Sequence, residues 1–185
     1  EEWKAEAKRR GLPNTPTMVD AIPSLIDART VEIFEKFSVF SSKELHSRAE
    51  VNYENYSKTI NIEAKTMIEM VNKQYIPAVI KAVKGLADSI NSIKTAVPSA
   101  DVSVQSDLLI QCSELLAKAK AAVVNLENIV ATAATKAEGK ERAIYFKDVA
   151  AKAMEELRAP IDELELIIDK SIWPVPTYGD LLFEV

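Results

Sequence analysis

The side chains that most often do chemistry are few in this sequence and poorly spaced for it. Among 185 residues there is one histidine, His46, and one cysteine, Cys112. A thiol nucleophile needs a base within hydrogen-bond reach. His46 opens one helical stretch, whereas Cys112 sits in the middle of an apolar stripe on another. Cys112 therefore reads as a small core residue and His46 as a partly exposed helix residue. A di-iron centre in a helical bundle asks for Glu-x-x-His on two helices, but the residue three before His46 is Lys43 and there is no second histidine. Carboxylates are plentiful: Glu50, Glu54, Glu63 and Glu69 on one helix, then Asp162, Glu163 and Glu165 on the last. Most fall off the apolar stripe and read as a solvated face. Glu63 stands apart, lying between Ile62 and Ala64 close to Lys65. The four glycines occur singly, so no glycine-rich phosphate loop is present. Met67, Met70 and Met154 read as core filler rather than as a soft-metal site or a peptide groove. No residue is assigned a catalytic, cofactor-binding or metal-binding role.

The elements that would position such residues are helical. Hydrophobic residues make up 48% and charged residues 28% of the chain, which is a globular, helix-biased composition. A formal net charge of −5 disfavours a nucleic-acid or anionic-membrane partner. The basic run Lys8-Arg9-Arg10 fits a helix C-terminus, where cations suit the dipole. One cysteine excludes an internal disulfide and fits a reducing, cytoplasmic compartment. No apolar run approaches the ~18 residues of a membrane span. The chain has no starting Met and opens inside a helix, "EEWKAEAKRR", closed by Gly11. A fragment of a longer polypeptide is expected.

Thr15-Pro16 reads as a helix start, followed by short helical pieces through Pro23. In "FSSKEL", Ser41 and Glu44 form an S-x-x-E capping box, with Phe40 and Leu45 placed for a hydrophobic staple. From there apolar residues recur in steps of three and four: Leu45, Ala49, Tyr53, Tyr56, Ile60, Ala64, Met67, Val71, Tyr75, Val79, Val83, Leu86, Ile90 and Ile93. Pro77 is expected to kink this helix, not to end it. Residues 42–97 would span ~80 Å. Ser99 or Asp101 can cap a second helix carrying Leu108, Cys112, Leu115, Ala119, Val123, Leu126 and Val130. After Gly139 a third stripe runs Ile144, Phe146, Val149, Ala153, Leu157, Ile161, Leu164 and Ile168, with a kink expected at Pro160. Short loops between long helices predict an all-α, antiparallel up-down-up bundle on one very long kinked helix. The second and third helices, ~45–50 Å each, leave the N-terminal part of the first in need of other cover. Phe34, Phe37 and the short helices can supply some. Any uncovered stripe would be an interaction surface.

The segments "VEIFEKF", "ELHSRAEVNYENYSKTINIEAKTMIEM" and "YIPAVI", with "GLPN" before them and "WPVPTYGDLLFEV" at the end, resemble the C-terminal region of type III glutamine synthetases. The resemblance is strongest over Lys58 to Met67, at Ile76-Pro77-Ala78, and from Trp173 to Val185. It implies a large oligomeric parent that joins ammonia to glutamate at the expense of ATP with Mg or Mn. The residues that hold metal, nucleotide and glutamate would lie in an earlier β-rich domain, and none is carried over here. The expected organisation is then residues 1–41 connecting from that catalytic domain, residues 42–170 as the bundle, and residues 171–185 as an extended docking tail. The role is expected to be non-catalytic, in subunit packing or active-site access, with the catalytic domain and neighbouring subunits as partners. A free-standing coiled-coil adaptor is the alternative. In the tail, Pro174 and Pro176 push Trp173 and Val175 toward extended geometry. The strap is expected to pack on its own domain's helices.

Overall fold

The computed structural model describes residues 1–183, with every side chain in that span except that of Tyr178. Among the described residues, helix is the only regular structure. The chain forms two compact units, residues 1–61 with 133–148, and residues 62–132 with 149–185.

In the first unit, α1 (Glu2–Arg9) buries no side chain. Its basic end is answered locally: Glu6 accepts from Arg9 and from Arg10, both at 2.7 Å. A four-residue helix, α2 (Met18–Ala21), then runs into a 3-10 turn (Ile22–Leu25) that takes Pro23 in its first turn. Thr17, and not Thr15, is the cap. Its hydroxyl accepts the Asp20 N–H at 3.2 Å and donates to the Asp20 carboxylate at 2.7 Å. Asp27 caps α3 (Ala28–Lys36) by accepting from the Arg29 and Thr30 N–H groups. The capping box forms as the sequence predicts: the Ser41 N–H and hydroxyl both donate to Glu44 Oε2 at 2.8 Å. Phe40 stacks on Phe34 at 5.7 Å between centroids and carries the Arg48 guanidinium 4.3 Å above its ring. Val19, Ile22, Ala49, Tyr53 and Ala143 form this unit's core. Lys147 ties α2 to it by donating to Asp20 at 2.6 Å.

The capping box starts a helix of 55 residues, made of α4 (Ser42–Met70), a π turn (Val71–Tyr75) and α5 (Ile76–Ala96). The π turn ends just before Pro77, where the sequence predicts a kink. Its signature is the Ile76 N–H donating five residues back to the Val71 carbonyl. Proline and π turns are two recurrent sources of helix irregularity, and here they adjoin. Asp101 rather than Ser99 caps α6 (Ser103–Ala133), accepting the Ser103 N–H at 2.9 Å.

The last long helix comprises α7 (Lys140–Tyr145), a second π turn (Phe146–Ala150) and α8 (Ala151–Glu165), and it passes through Pro160 without ending. Phe146, Ala153, Leu157, Ile161 and Leu164 face inward as the predicted stripe has them, but its N-terminal part differs at two positions. Ala143 and Ala150 are fully buried, while Ile144 and Val149 stay more than a third exposed. Small residues take the positions of closest approach, and a search for large apolar side chains passes over them. Ile168 is buried but lies past the helix end.

The core of the second unit joins Ala64, Val71 and Val79 to Cys112, Leu115, Val123 and Leu126 of α6 and to Leu157 and Leu164 of α8. Leu126 is completely buried in it. Leu126→Ala is expected to lower unfolding stability by about 2–5 kcal/mol, through lost transfer energy and the cavity left behind. Urea denaturation followed by circular dichroism measures it.

Candidate functional site

The residues singled out for their chemistry do not converge. His46 is exposed in the first turn of α4, with Nδ1 2.8 Å from the Ser42 carbonyl, which can only accept. Cys112 is buried in the second unit, where burial pushes its thiol above the usual range. Glu54, Glu69 and Asp162 make ion pairs one turn along their own helices, with Lys58, Lys73 and Arg158. Glu50, Glu63 and Glu163 are exposed. Among the described residues no group of three or more His, Cys, Asp or Glu is placed to hold a metal ion.

A site is assembled instead where the tail returns to the helices of the second unit. Past α8, the Asp169 carboxylate accepts the Ser171 N–H at 2.7 Å and the Asp169 carbonyl accepts the Trp173 N–H at 3.1 Å. This turn aims Trp173 inward, leaving it 7% exposed. Its ring meets Tyr75, the last residue of the π turn, at 5.0 Å between centroids and 51° between planes. Among the described residues, its buried indole N–H has no acceptor. Ile172 and Val175 also pack against the core, so this stretch docks on its own helices as expected.

The end of the tail departs from the expectation of a wholly extended strap. Tyr178–Phe183 form a short helix, α9. Thr177 starts it by donating its N–H and hydroxyl to Asp180 Oδ2 at 2.8 and 2.9 Å, and Lys170 pairs with the same carboxylate. Lys170, then the two Thr177 donors, hold the Asp180 carboxyl down at about 2. Leu181, Leu182 and Phe183 are 69%, 71% and 81% exposed. Glu184 and Val185 lie outside the described residues.

Between the tail, the π turn and α8 lies a cleft of ≈ 360 Å³. Met67, Met70 and Tyr75 line one side, Ile161 and Glu165 the second, and Pro176 the third. The Tyr75 hydroxyl titrates above its ordinary value because burial, then the carboxylates of Glu165 and Asp162, disfavour the phenolate. Met67 and Met154 pack against the core, as read from the sequence; Met67 also lines the cleft, together with Met70.

A family model for the glutamine synthetase C-terminal domain matches residues 1–94. The chain belongs to this glutamine synthetase C-terminal domain family. The matched residues include the capping box and the first π turn. Relatives extend the likeness over the rest, tail included. A glutamine synthetase of Butyrivibrio fibrisolvens is 31% identical over 100% of this chain and 26% of its own length. A type-3 glutamine synthetase of Dictyostelium discoideum is 30% identical over 98% of this chain and 25% of its own. A glutamine synthetase of Bacteroides fragilis (strain YCH46) is 28% identical over 99% of this chain and 26% of its own. The chain therefore spans about a quarter of the length of the curated relatives it matches.

The Asp180 clasp gives the tail a signed pH dependence. A carboxyl lowered from 3.8 to about 2 on folding stabilises the folded state above its unfolded value, and that contribution is lost as pH falls through the folded one. Trp3→Phe leaves Trp173 as the only tryptophan of the two, so fluorescence then reports tail docking. In that background, the urea-midpoint difference between Asp180 and Asp180→Asn chains should be constant above pH ~5 and fall away as pH drops through ~2.

Proposed function

We propose that the chain is the non-catalytic C-terminal domain of a glutamine synthetase whose parent polypeptide joins ammonia to glutamate at the expense of ATP. The observation that carries this is coverage: essentially all of the chain aligns with only about a quarter of each relative. The cofactors of that reaction, ATP and Mg or Mn, belong to the parent. The described donor set does not fit a metal ion, and no chemical step is routed through these residues. Among the described residues no helix is long and apolar enough to cross a membrane. A cytoplasmic location is part of this proposal.

The role proposed is in subunit packing or active-site access, with the catalytic domain of the same polypeptide and neighbouring subunits of a homo-oligomer as partners. The consecutive exposed apolar residues Leu181, Leu182 and Phe183 support it, since such side chains gain by leaving water. An up-down-up arrangement of the long helices remains the proposed architecture. It is supported by Asn72, which lies 24 residues before the end of α5, donating to Glu127, which lies 24 residues after the start of α6.

Comparison of the full-length parent with a version cut before Glu1 tests the role. Sizing chromatography should show a smaller assembly and glutamine synthesis should change; unchanged assembly with unchanged kinetics would overturn the proposal. Leu181→Ser with Phe183→Ser should shift the 185-residue chain's own stability by no more than about 0.5 kcal/mol, as expected for exposed positions, while weakening assembly of the parent.

A further inference from the structure

We propose that the cleft between the first π turn, α8 and the tail binds a small organic cation, a protonated amine carried on an apolar body. At ≈ 360 Å³ it falls within the size range of small-molecule sites. A cavity of about 150 Å³ lined by aliphatic side chains accommodates one benzene, so two such groups fit here. The apolar body has its surface in Leu157, Ile161 and the flexible thioethers of Met67 and Met70, which adapt to irregular shapes.

The charge at the rim selects the cation. Arg158, Asp162 and Glu165 all line the cleft. Arg158 is held by Asp162 at 2.9 Å, and Glu165 is half-buried. The Glu165 carboxylate stands close enough to Tyr75 to disfavour its phenolate. A carboxylate or phosphate ligand would meet the same charge as repulsion. An ammonium group can pair with Glu165 and lie against the Tyr75 ring, an arrangement favoured by the ring's negative face.

Two further features bear on this cleft. Val71 and Tyr75, the first and last residues of the π turn, both line it, and π turns are frequent at functional sites. Its third wall, Val175, Pro176 and Leu181, belongs to the tail.

The inference does not rest on the packing role, because it is read on the 185-residue chain alone, whereas assembly is read on the parent. Trp173 stacks on Tyr75, so its fluorescence in a Trp3→Phe chain reports occupancy. The probes are phenylbutylamine, phenylbutanol and phenylbutanoate, which share a body and differ in charge. The amine should give a saturable change with affinity about tenfold above the alcohol, since a hydrogen bond to a charged group contributes about that factor. The carboxylate should bind more weakly than either. Glu165→Gln, which retains size and polarity at a half-buried position, should reduce the amine to the level of the alcohol and leave the alcohol unchanged. Unchanged far-ultraviolet circular dichroism confirms that this variant folds. Equal binding of amine and carboxylate, an amine preference that survives Glu165→Gln, or no saturable change with any probe would each overturn the proposal.

Discussion

An apolar stripe running the length of a 55-residue helix must be kept from water wherever it goes, and the rest of the fold answers that need. Helix propensity contributes little by itself; packing of the apolar face supplies most of a helix's stability. Different elements provide it at different heights. In the first unit, Ala49 and Tyr53 are met by Val19 and Ile22 from the short helices and by Ala143 from α7. In the second, Ala64, Val71 and Val79 are met by α6 and α8, and Trp173 closes the same core. The short N-terminal helices are therefore more than a connection: they cover a part of α4 that would otherwise be an exposed stripe.

Elements whose local chemistry is strong were legible in the sequence. Ser41 and Glu44 make the box that the S-x-x-E spacing predicts, and Asp101 caps α6. Thr17 prevails over Thr15 because Asp20 stands three residues beyond it and reciprocates. The same Thr-x-x-Asp pattern at Thr177 and Asp180 starts α9, past the residues that Pro174 and Pro176 hold extended. Neither π turn leaves a mark in the apolar spacing, because steps of three and four tolerate one extra residue. The candidate site was illegible for a different reason. Met67, Tyr75, Glu165 and Pro176 come from three stretches of chain that only the packed core brings together. Met70, read as core filler, is among them.

Family membership and geometry divide the functional question between them. The likeness to glutamine synthetases is carried along the whole chain, yet the side chains that could perform catalysis stay dispersed. His46 and Cys112 belong to different units, and Glu54 and Glu69 are occupied in exposed pairs within their own helix. What the fold does concentrate is apolar surface, at the outer turn of the tail and in the cleft beneath it.

The π turn at Val71–Tyr75 also constrains how this helix can change in length. A residue added to or removed from an α-helix rotates everything beyond it by about 100° around the axis. A π turn already takes in one residue more than α geometry, so loss of one residue between Met70 and Pro77 would let it relax to an ordinary α turn with Val79, now fully buried, still on the core side. An insertion between Ile76 and Val79 would instead swing Val79 toward solvent, with no local irregularity to absorb it. The segment therefore acts as a slack joint: it takes up a one-residue change in length without altering which side of the distal helix meets the core. Chains of this kind should vary in length at the loops around residues 98–101 and 135–139, and tolerate a one-residue change between Val71 and Tyr75 better than elsewhere in the helix.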